Sequence, residues 1–264
     1  MEWQKVRPAR KPFAPFVNAP RAAFALAALA LSALFLGCLA ASSGLTAAVA
    51  QERFEGQWLV EFKPDGKVSL TMRYRESRTG DDGRRHESSW DTTHGVEPDK
   101  LQGLAREQVF SAAGTNVRFE LRRDAGAFVC EGWFKQGNGS GHFTFVPDRA
   151  FAAELSRRGV GNPEDRQLFS LARADVGLAL LDEIKSQGYE RPTLEQLVRV
   201  RDHGVTVEYV RELKGLGYTR LPVEDLVRLR DHGVTASFIR RVKERRSDTP
   251  AVEELINLRD RGSY

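Results

Sequence analysis

Leu194 to Tyr218 reads LEQLVRVRDHGVTVEYVRELKGLGY, and Leu226 to Arg246 repeats much of it as LVRLRDHGVTASFIRRVKERR. His203 and His232 stand 29 residues apart, and the same step carries the pattern in both directions. Leu168, Leu197, Leu226 and Leu255 fall in register, as do Leu171, Val200, Leu229 and Leu258. Gly159, Gly188 and Gly217 follow, each with Val160, Tyr189 or Tyr218 directly behind it. A fixed period of this length marks a repeat architecture, here running from about Phe151 onward.

Within one unit, Leu194, Leu197, Val198 and Arg201 recur at helical spacing, the mark of one face of a helix. Thr193 and Gln196 form a T-x-x-Q capping box at its start, and Gly204 is placed to end it in the left-handed conformation. A second helix is predicted from Thr206, with Glu208 in its first turn, where a carboxylate suits the helix dipole. Val205, Tyr209, Val210, Leu213 and Leu216 form its apolar stripe, Gly217 is its stop, and Tyr218 folds back on Leu213. A single helix pair buries too little to stand alone, so the units are expected to stack into a short α-solenoid. The last copy is one helix, Ala251 to Arg261, which suits a terminal cap.

LVRLRDHGVT and VEYVRELKGLGY resemble the 29-residue helical-pair repeats of uncharacterised bacterial envelope proteins. Similar repeats are appended to membrane metallopeptidases of the β-lactam-sensor type. FELRRDAGAFVCEGWF looks like the segment that precedes such repeats, so the resemblance covers roughly Phe119 to Tyr264. It implies an envelope location and transfers no catalytic residue. The H-E-x-x-H zinc motif of those peptidases is absent, because serines follow His86-Glu87 and His94 lies too far along.

The formal charge of +4 invites a nucleic-acid reading. Lys5, Arg7, Arg10, Lys11 and Arg21 against Glu2 already account for it, leaving 35 basic and 35 acidic residues in the rest of the chain. The basic excess belongs to the N-terminal leader, and no nucleic-acid partner is expected. Ala22 to Ala41 is an uncharged run of 20 residues, long enough to cross a bilayer as a helix. The positive residues ahead of it place the N-terminus in the cytoplasm. Ala48-Val49-Ala50 is an A-x-A signal-peptidase site. Two outcomes stay open: an uncleaved inner-membrane anchor, which the 21-residue leader favours, or a periplasmic or secreted protein cleaved after Ala50. A lipoprotein signal through Cys38 fits less well, because Phe35 and Leu39 depart from the usual pattern. Residues beyond Gln51 are expected in the periplasm or exterior, with Cys130 their single cysteine and a buried structural thiol.

From Gln57 the pattern alternates with period two. WLVEF and KVSLTMRYR flank Pro64-Asp65-Gly66, TNVRFELRR and AFVCEGWFK flank Asp124-Ala125-Gly126, and GHFTFVP follows. Five short strands predict a small antiparallel sheet, with one short helix over Glu97 to Glu107. Gly137, Gly139 and Gly141 read as a hairpin turn, because a strand and not a helix comes next. The expected fold class is thus α+β. Residues 1–21 are a basic cytoplasmic leader, 22–50 the transmembrane or signal helix, 53–146 an antiparallel β-domain and 147–264 the α-solenoid of helix-pair repeats.

His86, Glu87, Trp90, Asp91 and His94 crowd into a polar stretch, Glu76 to Val96, read as a surface loop and the first candidate for ligand binding. No spacing there matches a known metal-ligand set. Asp202-His203 and Asp231-His232 precede helix-ending glycines and suit helix C-termini; about 10 Å between stacked helices separates them too far to share a metal ion. Arg240, Arg241, Lys243, Arg245 and Arg246 form a candidate basic surface for an acidic protein or lipid. No catalytic, metal or cofactor-binding residue is expected. The reading is a non-enzymatic, membrane-tethered envelope protein, held through residues 22–41 and offering a protein-interaction scaffold to an envelope partner. The alternatives are a ligand-binding sensor or enzyme using residues 86–94, or a regulator of an envelope peptidase.

Overall fold

The computed structural model describes residues 53–79, 84–246 and 248–262; the expected membrane segment and the cleavage site after Ala50 lie outside them. Among the described residues no helix is long and apolar enough to cross a membrane. The chain is α+β, an antiparallel sheet followed by an array of helices.

Seven strands build the sheet: β1 (Glu55–Phe62), β2 (Val68–Thr79), β3 (Arg85–Val96), β4 (Leu101–Gln102), β5 (Thr115–Arg123), β6 (Gly126–Lys135) and β7 (Asn138–Pro147). Their order is β3-β2-β1-β7-β6-β5-β4, two meanders joined where β1 pairs with β7. The turns at Pro64-Asp65-Gly66 and Asp124-Ala125-Gly126 fall where the sequence places them. Gly137 takes a left-handed conformation in the β6–β7 turn, as expected of a hairpin. Gly139 and Gly141 lie within β7, where a Cβ would strike the Phe134 ring and the Glu131 carbonyl.

Two expectations need correction. Within the stretch from Glu76 to Val96, residues 76–79 and 85–96 are no loop but strands of the β2–β3 hairpin, with register from Val68↔Val96 to Thr79↔Arg85. Edge strand β3 lacks the apolar alternation of a core strand because its outer face is solvated, and Ser89, Asp91, Thr93 and Gly95 are all exposed. The helix expected over Glu97 to Glu107 is broken into a 3-10 turn at Pro98–Lys100, the short β4 and one helical turn, α1 (Arg106–Val109). Leu101 is buried by pairing with Leu121 on β5, and Gly103, at φ +90°, turns the chain out of any helix.

The sheet must be rolled. Its edges, β3 and β4, are joined by only the four residues Glu97–Lys100. Seven flat strands would place the edges roughly 29 Å apart at about 4.8 Å per step, whereas the five Cα steps from Val96 to Leu101 span at most about 18 Å. Rolling brings Trp58 of β1 to within 5.0 Å of Phe119 on β5, ring centre to ring centre. Trp58 stands opposite Gly141 of β7, which pairs with Gly132 of β6, and the missing side chain at Gly132 leaves room for its indole. The indole N–H donates to the main-chain carbonyls of His142 (3.0 Å) and Glu131 (3.3 Å).

Eight nine-residue helices then alternate between two layers. One layer holds α2 (Arg149–Arg157), α4 (Leu178–Ser186), α6 (Val207–Gly215) and α8 (Ala236–Glu244); the other holds α3 (Asp165–Arg173), α5 (Leu194–Asp202), α7 (Val223–Asp231) and α9 (Val252–Asp260). Within each layer the helix starts recur every 29 residues. α3, α5, α7 and α9 lie against one another in succession, as do α4, α6 and α8. The capping box at Thr193 and Gln196 is formed, and Thr206 and Thr235 accept from the backbone N–H groups of Tyr209 and Phe238.

Gly217 ends α6 at φ +90°, with the Tyr218 N–H donating to the Leu213 carbonyl at 2.9 Å. A Cβ at Gly217 would meet nothing closer than 3.8 Å, so the objection to a side chain there is conformational. Gly217→Val is therefore expected to lower stability by at least about 1 kcal/mol in urea melts. Gly215→Ala, two residues earlier on the open surface of α6, is expected to raise it by about 0.5–1 kcal/mol. Equal effects from the two would contradict this account of the helix end.

Candidate functional site

The sheet meets the helical array around the β5–β6 turn, and the departures from the repeat pattern gather there. Positions 148, 177, 206 and 235 precede helices of the first layer; Asp148, Thr206 and Thr235 cap their own helices, while position 177 is glycine. The missing cap comes from the sheet: Asp124 accepts from the Leu178 N–H at 2.8 Å, in space that a Cβ at Gly177 would invade. Positions 175, 204 and 233 all adopt positive φ after second-layer helices, and glycine at the first is replaced by Asp175. Aspartate tolerates that conformation better than most residues, and its carboxylate binds Arg123 of β5 at 3.0 Å and Arg201 of α5 at 3.4 Å.

Beneath these polar ties lies an aromatic cluster. Phe169 of α3 stacks on Phe54 at 4.9 Å, lies 4.8 Å from Tyr74, and presents an edge to Phe145 at 5.4 Å.

Above it opens a cleft of about 440 Å³ between β3, the end of β5, α3 and α5. Trp90 and His94 line it from β3, Arg123 from β5, Arg173 from α3 and Arg201 from α5, with Lys100 at the rim. Four of the five residues read together from sequence are divided by strand alternation. Asp91 faces outward and is bound by Arg73 at 2.6 Å, and Glu87 is exposed, whereas Trp90 and His94 line the cleft. His86 belongs to the same strand, opposite Arg78 of β2. Arg173 stacks its guanidinium over the Trp90 ring at 5.3 Å and holds Asp202 through two bonds of 2.7 and 3.0 Å.

The side chains of Arg123, Arg173 and Arg201 are only 15–20% exposed. Lys100 and the three arginines face Glu97, Asp175 and Asp202, leaving one positive charge in excess. The His94 Nε2 is buried without a hydrogen-bond partner. Burial and then the neighbouring Arg123 push its imidazole below the ordinary histidine value of 6.5, with Asp175 opposing. The imidazole is therefore neutral near pH 7, and the arginine forks beside it suit a carboxylate or phosphate group.

The folded state resists protonating His94 while the unfolded chain accepts the proton near pH 6.5. Stability from this group is complete above that pH and erodes as pH falls below it. Urea melts at pH 7.5 and 5.5 are expected to show a larger acid loss for the native chain than for His94→Gln. Equal losses would mean that the imidazole is not held neutral.

The aspartate–histidine pairs act between units. His232 Nδ1 lies 2.9 Å from both oxygens of Asp260, and His203 pairs with Asp231. Exposed pairs of this kind contribute about 0–1 kcal/mol each. The same stapling recurs in Arg199–Glu224, Arg228–Glu253 and Arg211–Glu183. It also divides the run expected as a basic surface. Arg240 reaches Glu212, Lys243 donates to the Leu216 carbonyl at the end of α6, and Arg246 binds Asp248 and Glu254. Arg241 and Arg245 remain exposed. Cys130 is buried, and burial pushes its thiol far above the ordinary range, as in an inert structural cysteine.

Asp124, Asp175, Gly177 and Phe169 were not anticipated as site-building residues. The signal for two of them was present, since 175 and 177 break the glycine and threonine registers of the repeat. Comparison with family models, curated proteins and solved structures finds no match.

Proposed function

We propose that the protein is a non-enzymatic binding protein of the bacterial envelope, whose helices form an α-solenoid that serves as a protein-interaction scaffold. The recurrence of both helix layers every 29 residues supports this reading, because stacked helix pairs present an extended surface of fixed curvature. The staples between units keep that surface rigid, which lowers the ordering cost of binding. Residues 22–41 hold the chain at the inner membrane, with everything beyond Gln51 outside the cytoplasm.

Crosslinked capture from envelope fractions tests the scaffold. A consistent protein partner is expected with the full chain and is expected to be lost when residues 193–264 are removed, while the tryptophan emission of the sheet is retained. Capture that survives the deletion, with the sheet intact, overturns the reading. Fractionation and N-terminal sequencing of the expressed protein test the anchor.

A second reading is favoured by the unpartnered His94 nitrogen among buried arginines in the junction cleft: the sheet senses a small anionic ligand there and passes the signal to the array. Binding of such a ligand, weakened at least tenfold by Arg173→Ala and by Trp90→Ala, would replace the scaffold as the primary role.

A further inference from the structure

The repeat places a tyrosine behind the glycine that ends α4 and α6, whereas α2 is followed by Gly159 and a valine. Tyr189 and Tyr218 occupy that position and are 7% and 5% exposed. The Tyr218 hydroxyl donates to the Pro250 carbonyl, 32 residues on, at 2.7 Å, and the Tyr189 hydroxyl reaches the Tyr218 carbonyl at 3.4 Å. Val160 stands at the same place after α2. The ring's place is not filled by neighbouring side chains: a cavity of about 280 Å³ opens there.

Its apolar wall is Val160, Leu181, Ile184, Tyr189 and Pro192. Pro192 is 32 residues beyond Val160, the same interval that separates Tyr218 from its acceptor Pro250. An apolar cavity of about 150 Å³ already accepts a benzene ring, so this one has room for a ring with substituents.

The rim is polar and mostly cationic. Arg158, Lys185 and Arg191 stand there against Glu190. Arg158 is tied to Glu154 and Asp182. Arg191 only touches the Gly159 carbonyl at 3.4 Å. Neither Lys185 nor Arg191 has a carboxylate within ion-pair distance among the described residues. The site thus offers an apolar slot with the buried Pro192 in its wall, and two cations without ion-pair partners at the mouth.

We propose that the Val160 cavity is a binding site for a small aromatic acid bearing a para hydroxyl, independent of the scaffold reading. The ring takes the space that Tyr189 and Tyr218 fill in later units, and the hydroxyl donates to the Pro192 carbonyl. The carboxylate meets Lys185 and Arg191, where charge-assisted hydrogen bonds are the strong ones.

Calorimetric titration of the full chain with 4-hydroxyphenylacetate tests this, with p-cresol as the neutral probe. Saturable one-to-one binding of the acid is expected, with p-cresol at least tenfold weaker. Val160→Tyr is expected to abolish acid binding and to raise Tm, because the new ring fills the slot as its counterparts do. Should that variant fail to fold, Val160→Leu, which narrows the slot with a smaller group, is expected to weaken binding at least threefold. Lys185→Ala with Arg191→Ala is expected to bring the acid down to the p-cresol level.

No saturable binding of the acid, or binding that Val160→Tyr leaves unchanged, overturns the proposal. Tighter binding of a tyrosine-containing peptide amide than of the acid also overturns it, since the cavity would then hold a partner's side chain.

Discussion

Phe169→Ala is expected to lower stability by about 3–5 kcal/mol, the range for removing a buried aromatic ring. Phe169 is 5% exposed and touches Phe54, Tyr74, Phe128 and Phe145. Those four belong to the sheet or lead into it, while Phe169 belongs to α3. Its loss opens a cavity between sheet and array that neither can close by repacking alone. The polar ties through Asp124 and Asp175 are too exposed to replace it. Calorimetry is expected to show one unfolding transition for the native chain and two for the variant. A loss under about 1 kcal/mol with a single transition would mean that the aromatic cluster does not couple the two parts.

Trp58→Ala is expected to cost a similar about 3–5 kcal/mol, for a different reason. The indole lies where Gly132 has no side chain, so no side chain at that position can move into the space. Two carbonyls, of Glu131 and His142, also lose their indole donor. Trp58→Phe separates the two effects, keeping much of the ring while removing the N–H. It is expected to cost about 1–3 kcal/mol, the range for part-buried acceptors that lose a donor. Urea melts measure both; a nearly silent Trp58→Ala would remove the indole from the account of how the sheet is rolled.

The helices could be read from sequence because their register is written several times over, and every copy corrects the others. Gly204, Gly217 and the Thr193 capping box fall where the pattern puts them. The edge of the sheet could not be read so well. β3 is half-buried, and its outward positions carry the polar residues of a solvated strand. β4 owes its existence to the pairing of Leu101 with Leu121, a contact over twenty residues of sequence. The junction was hidden for a further reason: Asp124 and Leu178 are 54 residues apart and belong to different kinds of structure. What the sequence did show was where the repeat is broken, at Val160, Asp175 and Gly177. Those exceptions mark places where a unit serves something other than its neighbour.

The pairing of β1 with β7 dictates an order of assembly. Glu55 faces Thr144 across 89 residues, whereas the tyrosine and arginine contacts between helical units span no more than 32. Chains dominated by distant contacts fold more slowly than those with local ones, so the array should form while the sheet is still open. Nature has labelled the two parts separately, since Trp58, Trp90 and Trp133 all belong to the sheet and the array has no tryptophan. On dilution from urea, helical circular dichroism is expected to recover first and tryptophan emission later; simultaneous recovery would show that neither part can start without the other. During synthesis the first strand must therefore wait, unpaired, until the seventh has been made.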